Sequence, residues 1–222
     1  MRIIAGQWRG RRLLAPAGAA TRPTADRVRQ ALFDMLLHAP WGGRAILDGA
    51  AVLDALAGTG ALGLEALSRG ASRARFLEND RAALATLRAN VAALLGEAAP
   101  KGGSTVGGAS GDGRAGAGVA GVEARVMPAD ATRPTRADLA CGLVFLDPPY
   151  GAGLPEKALP ALCRTGWIAP GAVAVVEVGR DEPAPALPGW EPLAERAHGA
   201  ARVLVLREVD AVAGGGGPSE AR

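Results

Sequence analysis

The chain is predicted to fold as an α/β domain built on a doubly wound sheet, with an antiparallel hairpin at its carboxyl-terminal end. Three observations carry this expectation. Short apolar runs such as "LVFL" (Leu143 to Leu146) and "AVAVV" (Ala172 to Val176) show no polar alternation, the pattern of strands buried on both faces. Stretches with apolar residues at i, i+3 and i+4 alternate with them, as crossover helices do. Glycines punctuate the turns between the two kinds of segment. With 222 residues, 49% hydrophobic and 21% charged, the chain is long enough for one sizeable core.

In chain order, "MRIIAG" and "GRRLLAP" read as two short strands around "QWRG", a small amino-terminal β-hairpin extension. "TRPTADRVRQALFDMLLH" is an amphipathic helix in which Val28, Ala31, Leu32, Met35 and Leu36 form the core-facing stripe and Thr24 or Asp26 can cap. Ala51 to Leu56 is a strand, "AGTG" a tight loop, and "ALGLEALSR" a helix ended by Gly70. Arg73 to Glu78 is the next strand. "NDRAALATLRANVAALL" follows as a helix starting near Asp80 and ending at Gly96, with Leu84, Leu87, Val91 and Leu94 on one face. Residues 97 to 121 contain nine glycines and little to bury, so they read as a flexible insertion. Further strands are expected over Val122 to Met127, "CGLVFLD", Ala172 to Val178 and Ala201 to Val209. "PEKALPALCR" is a helix kinked or delayed by Pro160. The last residues, 210 to 222, read as a disordered tail.

The net charge of +3 is unevenly placed. Residues 1 to 29 carry Arg2, Arg9, Arg11, Arg12, Arg22, Arg27 and Arg29 against Asp26 alone, so this segment is +6 and the rest of the chain is −3. It is the candidate polyanion contact. No apolar run approaches the length of a membrane span, and "MRIIAGQWRGRRLL" lacks the apolar stretch of a secretory signal, so a cytoplasmic setting is expected. Cys141, Cys163, His38 and His198 lack metal-ligand spacing, and neither a metal nor a disulfide is expected.

Gly58, Gly60 and Gly63 form G-x-G-x-x-G between a predicted strand and a predicted helix, the context in which such glycines let a ligand approach the backbone. Glu78 ends the following strand, where a carboxylate can take ribose hydroxyls. An adenosine-bearing cofactor is implied. Asp54, ahead of the glycines, would repel a pyrophosphate but could engage the ammonium of a methionine moiety, which favours S-adenosylmethionine over a dinucleotide.

"DPPY" argues the same way. Asp147 follows a buried strand, and Pro148 and Pro149 hold the backbone extended, so the carboxylate stands on a stiff arm at the strand's carboxyl end. An exocyclic base amine is a poor nucleophile because its lone pair is delocalised. Asp147 can accept one N–H and the Pro148 carbonyl the other, steering the nitrogen toward tetrahedral geometry, while Tyr150 stacks on the base.

"RIIAGQWRGRRL", "RPTADRVRQALFDML", "VLDALAGTGALGLEALSRGA", "LEND", "ADA" and "FLDPPYGAGL" together resemble the bacterial 16S ribosomal RNA guanine-N2 methyltransferases of the RsmD type. The resemblance implies a Rossmann-like class I methyltransferase fold, S-adenosylmethionine as cofactor, and methylation of the N2 amine of a guanine in small-subunit RNA, in an assembling or assembled particle. By matching position it implies that Thr24, Asp54, Ala57, Gly58, Thr59, Gly60, Glu78, Asp130 and Ala131 hold the cofactor. Asp147, Pro148, Pro149 and Tyr150 match the catalytic motif, and Arg9, Arg11, Arg12, Arg22 and Arg27 the RNA-facing arm. Residues 1–40 are then the basic hairpin and helix, for RNA contact and cofactor cover, and residues 41–209 the methyltransferase domain. A monomer without metal or membrane attachment is expected. Leu56 stands where the family usually has an aromatic. The motif also fits amino-methylation of adenine or cytosine in DNA or RNA, and a silent RNA-binding relative is the alternative from outside enzymology.

Overall fold

A computed structural model describes residues 1–15, 23–96, 104–107 and 121–209. In chain order the elements are α1 (Pro23–His38), β1 (Ala51–Asp54), α2 (Ala61–Ser68), β2 (Arg73–Glu78), α3 (Arg81–Leu95), β3 (Ser104–Gly107), β4 (Glu123–Pro128), β5 (Cys141–Leu146), α4 (Leu154–Arg164), β6 (Ile168–Gly179), β7 (Trp190–His198) and β8 (Ala201–Glu208). The strands form one eight-stranded sheet in the order β3-β4-β2-β1-β5-β6-β8-β7. The inner strands β4, β2, β1, β5 and β6 run parallel, while β3, β8 and β7 pair antiparallel to their neighbours. From β1 the chain winds outward to β2 and β4, then returns to β5 on the other side. The reversal between β1 and β5 opens a crevice at their carboxyl ends, where doubly wound sheets take ligands.

Both faces of the central strands are covered, which is why β1, β5 and the middle of β6 are apolar without alternation. Val52, Phe76 and Phe145 point into a core shared with α1, α2, α3 and the amino-terminal segment. Leu53, Leu77 and Val144 point the other way, against Leu159, Leu162 and Trp167. Each such large side chain contributes about 1.5–3 kcal/mol by leaving water. Asp80 caps α3, its carboxylate accepting the Ala83 N–H at 2.8 Å, and Leu84, Leu87, Val91 and Leu94 are buried as expected.

Several expectations change. The amino-terminal hairpin is reduced to a single antiparallel bridge, Arg2 with Arg12, held by Ile3 N–H to the Arg11 carbonyl at 2.9 Å and Leu13 N–H to the Met1 carbonyl at 3.1 Å. Its register comes from burial of Ile3, Trp8 and Leu13 in the main core. Helix α4 begins at Leu154 and runs through Pro160, so the proline neither delays nor ends it. Within the segment read as a flexible insertion, Ser104–Gly107 pairs with β4 as an edge strand, held by backbone hydrogen bonds to one neighbour. Strand β7 is an addition to the expected elements: it carries Pro192 and a mostly exposed surface, as an edge strand paired on one side only can. The stretches 97–103 and 108–120 and the tail 210–222 lie outside the described residues. Among the described residues, no helix is long and apolar enough to cross a membrane.

Candidate active site

The glycine loop begins where β1 stops. Gly60 takes the left-handed conformation (φ +78°) that caps α2, and a Cβ added at Gly63 would lie 2.4 Å from the Phe76 ring. Only glycine therefore lets α2 pack this close to β2. The tight approach carries the Gly63 N–H to Asp54 Oδ2 at 2.9 Å. Asp54 is 2% exposed, and burial pushes its pKa up to about 8, opposed by the Gly63 hydrogen bond and reinforced by the negative charges of Asp147 and Glu78. Glu78, ending β2, is tied to the same loop: its Oε2 accepts the Gly58 N–H at 2.8 Å, and its Oε1 accepts from Asn79 and Asp80.

Asp147 follows β5 directly. It lines one cavity of about 350 Å³ together with Asp54, Ala57, Gly58, Thr59 and Tyr150. The strand ends thus bring the acid of "DPPY" and the glycine loop, more than 80 residues apart in sequence, to one site. Asp147 is exposed at the open cavity, yet desolvation by the protein packed around its carboxylate, then the neighbouring Glu177, push its pKa up to about 7. Tyr150 is 48% exposed at the mouth and donates its hydroxyl to Glu177 Oε1 at 2.6 Å. Pro148 and Pro149 sit outside the cavity lining, in the arm that carries Asp147.

Gly60, Glu78, Asp130 and Ala131, also expected at the site, are not among the residues that line this cavity. Asp130 follows β4 in a turn where Oδ1 accepts the Thr132 hydroxyl at 2.7 Å and the Thr132 N–H at 2.8 Å; these bonds hold its pKa below the usual carboxylate range. Ala131 is buried next to it. The Ala129 N–H bonds the Glu78 carbonyl at 3.0 Å, so the Asp130 turn and the Glu78 carboxylate lie at the ends of paired strands. Arg22 and the side chain of Thr24 lie outside the described residues.

Arg9, Arg11, Arg12 and Arg27 are all exposed, although the Arg11 guanidinium also bonds the Ala93 carbonyl at 2.5 Å. Arg29 departs from the basic face. It is 5% exposed, bonded to the Arg2 carbonyl at 2.6 Å and to Asp26 at 2.9 Å, and it lines the cavity. Beside it, the fully buried Glu65 accepts the N–H groups of Ile4 at 2.8 Å and Ala5 at 3.0 Å and pairs with Arg69 at 2.7 Å. This acid, with Ser68 at the end of α2 and Asn90 in α3, fastens the amino-terminal segment to the domain. Glu177, Arg29 and Glu65 were missed by sequence reasoning. The two acids had a visible signal, each being the lone acid in an otherwise apolar run, "AVAVVEV" and "ALGLEAL".

Comparison with known proteins places this arrangement among relatives. The family model described as "Conserved hypothetical protein 95" matches residues 1–102 and 123–207, which includes both Asp54 and Asp147 and omits most of the glycine-rich insertion. Ribosomal RNA small subunit methyltransferase D of Escherichia coli (strain K12) is 37% identical over 200 residues, covering 90% of this chain and 85% of that protein. The protein of the same name from Haemophilus influenzae is 32% identical over 202 residues, covering 90% and 89%. The solved structure of Escherichia coli yhhF superposes with a TM-score of 0.69 at 32% identity, covering 94% of this chain and 98% of that one. Similarity of this extent, with the two acids and the glycine loop assembled at the crevice, makes the chain a member of the ribosomal RNA small subunit methyltransferase D family and an rRNA methyltransferase.

Proposed function

We propose that this enzyme uses S-adenosylmethionine to methylate the exocyclic N2 of a guanine in 16S ribosomal RNA, within the assembling or assembled small subunit. The observation that carries the reading is the shared cavity of Asp54, the glycine loop, Asp147 and Tyr150.

The residues fit the cofactor. At Gly58 (φ +52°) nothing lies within 4 Å of where a Cβ would stand, so a ligand can approach the backbone there. Glu78 Oε2 has accepted one donor and has capacity for a second, such as a ribose hydroxyl. Asp54 is a buried acid whose pKa is pushed up by burial and by the charges of Asp147 and Glu78, and the ammonium of the methionine moiety would favour its ionised form. Asp130 and Ala131 would meet the adenine. Bound S-adenosylmethionine supplies an already activated methyl group. The protein's own work is then positioning and stabilisation of charge.

Asp147 in its ionised form accepts one N–H of the target amine, and the Pro148 carbonyl accepts the other. The two prolines fix the arm, so little freedom is lost when the amine docks. Carboxylate charge next to the nitrogen stabilises the positive charge that grows there, and Asp147 need not act as a strong base. Tyr150 offers its ring face to the base, anchored through its hydroxyl by Glu177. The exposed arginines of residues 1–40 are the proposed RNA contact, suited to phosphate by their planar fork.

The test is incubation with labelled cofactor and small subunits lacking the modification, beside naked RNA and DNA, with the product mapped by mass spectrometry. N2-methylguanine in the small-subunit RNA is the expected product; label in adenine or cytosine, or none, would overturn the assignment.

A further inference from the structure

Beside Asp147 the cavity holds a further carboxylate, Glu177, that methyl transfer to an amine does not by itself require. Strands β5 and β6 are parallel neighbours, and their last register pair is Leu146 with Val176. The next residue on each strand is an acid, Asp147 on one and Glu177 on the other, and both line the cavity. Placing two acids side by side is unfavourable, and after desolvation it is the charge of Glu177 that raises the Asp147 pKa. A pair kept at that cost calls for a ligand rich in donors.

The hydrogen bonds divide the acceptors. Glu177 Oε1 is occupied by the Tyr150 hydroxyl at 2.6 Å. Among the described residues nothing donates to Glu177 Oε2 or to either oxygen of Asp147, so these three oxygens face the cavity as acceptors without a protein donor. The amine-bearing bases differ at the ring nitrogens beside the amine. Guanine's N2 amine is flanked by N1–H, a donor, and by N3, a lone pair, and in the pose considered the N1 side faces Glu177. Adenine and cytosine have no donor beside theirs, only a lone pair at N1 and N3. A carboxylate facing that position would bond the guanine and repel the other two.

We infer that Glu177 is a specificity-determining residue, which reads guanine through its free Oε2 by accepting the N1–H while Asp147 holds the adjacent N2 amine. This rests on the guanine-N2 reading above and names the group that enforces it. The same side chain, through Oε1, keeps the Tyr150 ring at the mouth, so base selection and base stacking share one anchor. Adenine placed with its amine on Asp147 would set its N1 lone pair against the Glu177 charge, with no donor to compensate. Sites built to bond a particular N–H reject analogues lacking it far more strongly than shape alone does.

Glu177→Gln separates the two tasks. Its amide oxygen can still accept the Tyr150 hydroxyl, while its NH2 replaces the free acceptor with a donor. The probes are small-subunit particles reconstituted with RNA carrying either guanine or 2-aminopurine at the mapped target. The analogue keeps the 2-amino group but has a lone pair at N1. The wild-type enzyme is expected to favour guanine by at least ~100-fold in kcat/KM. In Glu177→Gln that ratio should narrow by ten-fold or more, because the amide donates to the analogue's N1. Tyr150→Phe, which removes the anchor but not the acceptor, should leave the ratio near its wild-type value. An unchanged ratio in Glu177→Gln, whether overall activity falls or not, overturns the assignment. A wild-type enzyme that methylates no guanine N2 removes the underlying reading and this one with it, and that outcome is seen in the wild type alone.

Discussion

Glu78 Oε2 accepts the backbone N–H of Gly58 at 2.8 Å, so the acid that ends β2 is fastened to the loop that ends β1. Both carboxylate oxygens are held by backbone amides, which fixes the side chain before any ligand arrives.

Glu78→Ala is therefore expected to weaken S-adenosylmethionine binding in two ways, by removing an acceptor for the ribose and by releasing Gly58. A loss of at least ~10-fold in affinity is expected from one charge-assisted hydrogen bond. Titration calorimetry reads it directly, and unchanged affinity would take Glu78 out of the site.

Asp54 predicts an exchange of stability for function. Its folded pKa of about 8 lies above the ordinary 3.8, so the folded state holds its proton more tightly than the unfolded chain does. Stability is then lost as pH rises between these values. Asp54→Asn keeps an acceptor for Gly63 and removes the titration. Its Tm should exceed the wild-type value by several degrees at pH 9 and by less at pH 5, while cofactor affinity falls. Equal Tm differences at the two pH values would contradict the buried-acid account.

How much of this could be read in the sequence depended on what each residue leans on. Strands β1, β5 and β6 are buried on both faces, and an apolar run announces that without reference to any neighbour. Strand β7 has one partner and a largely exposed surface, so "WEPLAERAH" carries no such pattern, and β3 rests on backbone pairing in a glycine-rich stretch. In the site, Asp147 and Glu78 were legible because each adjoins a local motif whose stereochemistry dictates where the side chain goes. Glu177 and Glu65 act across space. The first matters because β6 lies beside β5 in a given register, the second because α2 meets the amino-terminal segment, and neither adjacency is written in local spacing. The basic arm was legible as charge, but not that Arg29 turns inward to Asp26 and Glu65.

The exposed arginines give a salt-dependence prediction. Replacing Arg9, Arg12 and Arg27 together should weaken RNA binding and reduce the slope of log K against log salt by roughly 0.7–0.9 for each phosphate no longer neutralised. Cofactor affinity should persist. Wild-type RNA affinity with the same slope would mean that these residues only solvate the surface.

Asp147 should set the acid limb of the pH profile. Only its ionised form stabilises the positive charge growing on the amine nitrogen, and desolvation together with Glu177 pushes its pKa up to about 7. For the free enzyme, kcat/KM is expected to rise with pH below about 7 and level off above it. A profile flat from about pH 5.5 to 8.5 would contradict this. The other charged or titratable residues lining the cavity are Met1 with its amino terminus, Arg29, Asp54, Tyr150, Glu177 and His198, and Asp147→Asn should abolish the limb if Asp147 is its source.

The most direct test of the whole account is methyl transfer by Asp147→Ala under single-turnover conditions, beside its affinity for S-adenosylmethionine. Removing a group that acts on the reacting amine should cost about 100- to 1,000-fold in rate, as removing one preorganised electrostatic interaction does elsewhere. Cofactor affinity should change little, because Asp54, Gly58 and Glu78 remain in place. A hundred-fold slower enzyme that binds cofactor normally is the predicted result; an undiminished rate would show that the carboxylate on the Pro-Pro arm does not hold the target amine.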